Sequence, residues 1–288
     1  MANLKELRNR ITSVSSTMQI TSAMKMVSAA KLHKAQEAIT HMRPYADKLT
    51  ELLQSLSATL DSDSGSQYAA EREVKNVLVI AVSSNRGLAG AFNSNIVKGV
   101  KRLSETELRG KNVAIYGLGK KANDILKKTH SIQANNNQIF DELHYENVEG
   151  IAQEVMDLFT EGKYDKVVLM YNKFKNAGTQ IVTTEQFLPI VPVEIEGKQA
   201  ANLDYIFEPD MQEIVEELIP KSLKMQLFKA LRDSVASEHG ARMTAMHKAT
   251  DNATELRDSL KLSYNKARQA AITNEILEIV GGAEALNN

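Results

Sequence analysis

Apolar side chains recur along the N-terminal region at alternating steps of three and four residues: Leu4, Leu7, Ile11, Val14 and Met18, then Leu32, Ala35, Ile39, Met42, Ala46, Leu49, Leu53 and Leu56. A repeat sustained over more than four heptads predicts a coiled-coil helix, with one proline, Pro44, inside it. Between the two runs the same steps land on Thr21, Lys25 and Ser28, while Ile20, Met24 and Val27 carry apolar surface one residue earlier, about 100° around the helix. The seam is small and polar there, and the greasy face is turned elsewhere. A helix about 85 Å long at roughly 1.5 Å per residue needs a companion. At the other end of the chain Arg242, Met246, Ala249, Ala253, Leu256, Leu260, Ser263, Ala267, Ala270, Asn274 and Leu277 repeat the same steps, and no proline follows Pro220.

The two ends are expected to pair antiparallel, in a register that sets Met24 beside Met243 and Pro44 beside Leu223. Residue 1 then falls opposite about residue 266. The last turns, with Ile272, Ile276, Leu277, Ile279 and Val280, have no helix of their own chain to pack on. A contiguous apolar tip of this kind marks a docking surface.

Between the ends the periodicity changes. Polar residues 61–73 read as a linker, and the runs Val77–Ser83, Asn112–Leu118 and Lys166–Tyr171 are short and rich in β-branched residues, the pattern of buried parallel strands. Residues 93–105, 120–128 and 148–162 carry helical spacing between them, and 180–185 adds a possible edge strand. Alternating strand and helix predicts a small doubly wound domain. The expected architecture is therefore α/β: a long antiparallel coiled coil of the terminal helices with an inserted Rossmann-like α/β domain. Its segments are an N-terminal coiled-coil helix over 1–60, the α/β domain over 75–195, and a C-terminal coiled-coil helix with a lone tip over 208–288.

Composition narrows the function classes. A formal charge of −1 over 288 residues gives no general reason to expect nucleic acid, and no cysteine is present to form a disulfide or a thiolate site. No run of eighteen apolar residues occurs, and MANLKELRNRI lacks the apolar core of a secretion signal. Charge is uneven, however: residues 1–48 hold eight Lys or Arg against three acids, and residues 192–220 hold eight acids against Lys198. The basic flank of Arg8, Arg10, Lys31 and Lys34 has no accompanying aromatics, so it reads as a solvated coiled-coil face.

Two glycine-rich stretches raise chemistry. Gly117–Ala122, GLGKKA, matches G-x-G-x-x-A between a strand and a helix, with Asp141 about twenty residues on, as in dinucleotide-binding folds. That pattern supports an alternative, a dinucleotide-binding α/β protein with coiled-coil oligomerisation arms. A tight βα turn is the plainer explanation. Ser83–Asn95, SSNRGLAGAFNSN, follows the first strand but lacks the GK[ST] ending of a phosphate loop; it is expected to be a turn capped by Asn93 or Ser94, or a protein contact. The six histidines, His33, His41, His130, His144, His239 and His247, show no metal or triad spacing and are expected in exposed helices and loops. No catalytic, cofactor-binding or metal-binding residues are expected.

The motifs ITSAMKMVSAAK (20–31), SSNRGLAGAFNSNI (83–96), EHGARMTAMHKATDNA (238–253) and YNKARQAAITNEILEIVGGAEAL (264–286), in that order, resemble the gamma subunit of F-type ATP synthase over essentially the whole chain. Asn85 stands where many members have aspartate, and Ala89 where many have cysteine. The resemblance implies a non-catalytic central-stalk rotor that couples ion flow through the membrane c-ring to ATP synthesis or hydrolysis in the beta subunits. Its implied partners are three alpha and three beta subunits, the epsilon subunit and the c-ring, at the cytoplasmic side of a bacterial membrane as a peripheral protein, with no nucleic acid and no small-molecule substrate of its own. It further implies that Met24, Lys25, Arg242, Arg268, Gln269, Thr273, Ile276 and Ile279 face the alpha/beta ring, and that Tyr205 and Glu208 face epsilon and the c-ring.

Overall fold

A computed structural model describes residues 4–57, 67–68, 72–190 and 211–286. The described chain runs α1 (Leu4–Ser57), β1 (Asn76–Val82), α2 (Phe92–Glu105), β2 (Asn112–Leu118), α3 (Lys120–Leu126), β3 (Ser131–Asn136), α4 (Tyr145–Thr160), β4 (Lys166–Asn176), β5 (Thr179–Leu188) and α5 (Met211–Leu286), with a short 3-10 turn at Gln138–Phe140. It divides into two compact units, one of Met1–Ser28 with Met243–Asn288, the other of Ala29–Arg242. Portions of both long helices thus group with the sheet.

In the first unit, α1 and α5 run antiparallel. Arg8 Nη2 donates to Tyr264 Oη at 2.9 Å, Thr250 Oγ1 donates to Thr21 Oγ1 at 2.8 Å, and Thr254 Oγ1 lies 3.4 Å from Met18 Sδ. Thr21 therefore faces Thr250 and not Met246, a register one helical turn further along α5 than the sequence suggested. The α5 stripe is also displaced. Met246, Ala253 and Leu260 are buried, but Leu256 is 49% exposed, and the half-buried positions between and just beyond them include Thr250, Arg257 and Tyr264. The physical reason is the small seam: a threonine pair bonds where two larger residues would collide, and Arg257 Nη1 reaches Met18 Sδ at 3.4 Å. Thr21 and Ser28 are buried at 9% and 3% exposure, on the seam where the heptad placed them. Their hydroxyls return to their own helix, Thr21 Oγ1 to Met18 O and Ser28 Oγ to Met24 O, so the polar seam leaves no hydroxyl unsatisfied.

In the second unit the sheet order is β3-β2-β1-β4-β5, with β1 to β4 parallel and β5 antiparallel on β4. The crossovers from β1 to β2 and from β2 to β3 travel one way, and the crossover from β3 to β4 reverses direction. With right-handed crossovers, α2 and α3 must cover one face and α4 the other. The cores agree: Val77, Val79 and Ala81 pack with Ile96, Val100, Ala122 and Leu126, whereas Leu78, Ile80 and Val82 pack with Val148, Ala152, Val155 and Phe159. Leu223, Leu227, Ala230 and Leu231 of α5 join that second core. Pro44 and Pro220 lie inside α1 and α5, neither of which ends there.

β3 is a strand that periodicity did not reveal, because SIQANN alternates weakly and asparagine disfavours strands. Tyr205, Glu208 and the greater part of the acidic stretch lie outside the described residues.

Candidate functional site

In open α/β sheets ligands bind beyond the carboxyl ends of the strands where the winding reverses. Here that place lies between β1 and β4, and the protein fills it. Ser83 and Ser84 follow β1 and are buried, as is Asn172 near the parallel end of β4. Asn93 Oδ1 accepts from Ser84 N at 2.9 Å, Asn172 Nδ2 donates to Phe92 O at 3.3 Å, and Ser237 Oγ of α5 donates to Asn172 O at 2.9 Å. Phe92 packs with Ala89 and Ala241. Asn93 is thus a bracket for its own loop.

The GLGKKA turn is closed in the same way. Gly119 has φ +99°, and a Cβ there would run into Ser83 O. The amides at the start of α3, which would have to hold a pyrophosphate, already donate: Lys120 N to Asn85 Oδ1, Lys121 N to Ser84 O and Ala122 N to Ser83 Oγ. A strand, β3, does precede Asp141. The occupied amides argue against the dinucleotide alternative, and Gly119 instead lets the loops after β1 and β2 lock together.

The loop after β1 bends at Leu88 (φ +61°) and Gly90 (φ +54°). Positive φ is costly for a bulky residue, yet Leu88 is 64% exposed. Behind it lies Arg242, 8% exposed. Its Nη2 meets Glu238 Oε1 at 2.7 Å and approaches Arg86 O at 3.3 Å and Gly87 O at 3.4 Å, while Nη1 lies 3.4 Å from His239 Nδ1. Burial, then Arg242 and Lys31, push His239 down to about 4. The ring is therefore neutral near pH 7, and its Nδ1 can accept from the guanidinium. Burial pushes the Glu238 carboxyl up, against the pull of Arg242. His239 and the half-buried His130 depart from the exposed placement expected of the histidines.

In the first unit the surfaces are outward. Ile20, Met26 and Val27 are 59%, 65% and 58% exposed, with Met24 and Lys25 half-buried beside them. Beyond Ala267 every described side chain of α5 through residue 283 is exposed, including Arg268, Gln269, Thr273, Ile276 and Ile279. Ile272, Ile276, Ile279 and Val280 fall at i, i+4, i+7 and i+8, one stripe of a helix, and nothing among the described residues covers it. The structure thus brings Arg268 to Ile279 together on one tip. Arg242 sits apart in kind, an interior residue of the second unit. Glu238, its partner, carried no signal in the sequence beyond lying four residues before it.

Among the described residues no cluster of His, Asp and Glu could hold a metal, and no helix is long and apolar enough to cross a membrane. A family model described as ATP synthase matches residues 3–286. The ATP synthase gamma chain of Christiangramia forsetii is 72% identical over the full length of both chains, and that of Flavobacterium johnsoniae 68%. Among solved structures, a chain of the Tetrahymena thermophila mitochondrial ATP synthase central stalk and c-ring is 25% identical, with TM-score 0.56 over 80% of this chain and 99% of that one. A chain of the Euglena gracilis mitochondrial ATP synthase rotor shares the fold at TM-score 0.65 and 20% identity, over 93% and 98% of the two chains. With closed loops where a cofactor would sit, a bare apolar helix tip and full-length kinship to these chains, this chain belongs to the ATP synthase gamma chain family, the central-stalk rotor of that complex.

Proposed function

We propose that the chain turns as an asymmetric shaft inside a ring of three alpha and three beta subunits, with epsilon and the c-ring at its α/β domain, on the cytoplasmic side of a bacterial membrane. Nucleotide chemistry then belongs to the beta subunits. The shaft biases their conformations only through contacts that differ between states, the requirement for any ligand-driven shift. One observation carries the reading: the apolar stripe of Ile272, Ile276, Ile279 and Val280, exposed along a helix that none of the described residues covers. A tip of this kind is stable in water only at a cost, and a sleeve from other subunits removes it.

The patch of Ile20, Met24, Lys25 and Val27 is the second ring-facing surface, with Arg268, Gln269 and Thr273 near the tip. Thioether chains are flexible and unbranched, so Met24 suits a surface that meets one partner in several arrangements. Tyr205 and Glu208 belong to the contacts with epsilon and the c-ring. The test is reconstitution: alpha and beta subunits assembled with this chain should show steady ATP hydrolysis that the mixture without it lacks. In the membrane-bound complex Met24→Arg should lower ion pumping per ATP hydrolysed several-fold. Equal hydrolysis with and without the chain would overturn the proposal.

A further inference from the structure

The conformation of the Arg86–Leu88 turn has a visible cause. Leu88 holds φ +61° while standing 64% exposed, so neither packing of its own side chain nor glycine's freedom explains the bend. The turn is held from behind. Ser84 Oγ donates to Arg86 O at 2.6 Å, and the Arg242 guanidinium lies 3.3 to 3.4 Å from the carbonyls of Arg86 and Gly87. Those distances are at the long end for hydrogen bonds, so the guanidinium holds the turn only if it is itself held. Glu238 does that, at 2.7 Å and with both side chains at most 14% exposed.

We propose that Glu238 and Arg242 form an internal clamp of α5 on the Arg86–Leu88 turn, and that Arg242 influences coupling by positioning this turn and not by touching the ring. The inference rests on the rotor reading and revises the part given to Arg242. A carboxylate fixes the planar fork of arginine in one orientation. The fork then presents its remaining N–H groups to two carbonyls of the turn. Leu88 is what this corner offers outward, and Glu238, only 14% exposed, is a positioning residue.

Because the chain has no cysteine, Leu88→Cys gives a single thiol for a nitroxide label on the full chain. The expected result is a slowly tumbling label in the Leu88→Cys chain and a clearly faster one when Glu238→Gln or Arg242→Lys is added. An unchanged spectrum in both would overturn the clamp whether or not the rotor reading holds. In the assembled complex, Glu238→Gln should lower ion pumping per ATP hydrolysed in the same direction as Arg242→Lys, and the effects of Arg242→Lys and Leu88→Ser should be less than additive. Full additivity, with pumping untouched by Glu238→Gln, would mean that Arg242 acts directly on a neighbouring subunit. If Glu238→Gln fails to fold, Glu238→Asp, which keeps the charge but shortens its reach, replaces it in both measurements with the same expected direction.

Discussion

At the scale of single residues, two glycines separate conformational need from crowding. Gly119 has φ +99° and sits against the Ser83 carbonyl, whereas Gly110 has φ +80° with nothing within 4 Å of a Cβ. Gly110→Ala should therefore lose only the backbone term, about 1 kcal/mol, while Gly119→Val combines that strain with a collision and should lose roughly 3 kcal/mol or more. Urea denaturation midpoints of the two variants check this. The His239 ring gives a pH prediction. Its folded value is depressed to about 4 from 6.5, so between those pH values the unfolded chain binds a proton that the native chain refuses. Stability is present above pH 6.5 and falls as pH drops toward 4. Thermal unfolding from pH 7.5 to 5 should show a fall that His239→Gln reduces. The glycine fingerprint was legible as a tight turn, but its occupied amides were not, because they depend on Ser83, Ser84 and Asn85, more than thirty residues earlier.

At the scale of elements, strong periodicity was readable and weak periodicity was not. The runs Val77–Ser83 and Asn112–Leu118 fell on β1 and β2, the first one residue out at each end, and the heptad of α1 placed Thr21 and Ser28 on the buried side. β3 escaped notice because a polar edge strand has little apolar alternation to show. The helix register escaped by one turn because a seam of small residues accepts several alignments, and the Thr21–Thr250 hydroxyl contact that selects one lies 229 residues apart in sequence. That tight seam makes a prediction. Ser28→Leu should destabilise the chain by about 1–3 kcal/mol through overpacking. Ile20→Ser, on the 59% exposed face, should stay within about 0.5 kcal/mol. Chemical denaturation of the isolated chain distinguishes them, and equal losses would mean that the seam is not where the chain is slim.

At the scale of the whole molecule, the tip beyond Ala267 is the feature that an isolated protein has least reason to carry. Its exposure was legible in the chain because Ile272, Ile276, Leu277, Ile279 and Val280 continue an apolar pattern past the point where α1 begins. What covers it could not be read from periodicity, since in the proposed assembly the covering atoms belong to other chains. Amide hydrogen exchange over residues 268–283, measured on the free chain and again after assembly with alpha and beta subunits, addresses the proposal most directly. Rapid exchange when free and protection by at least an order of magnitude in the assembly is the expected outcome. Protection already complete in the free chain, or exchange that assembly leaves unchanged, would contradict it.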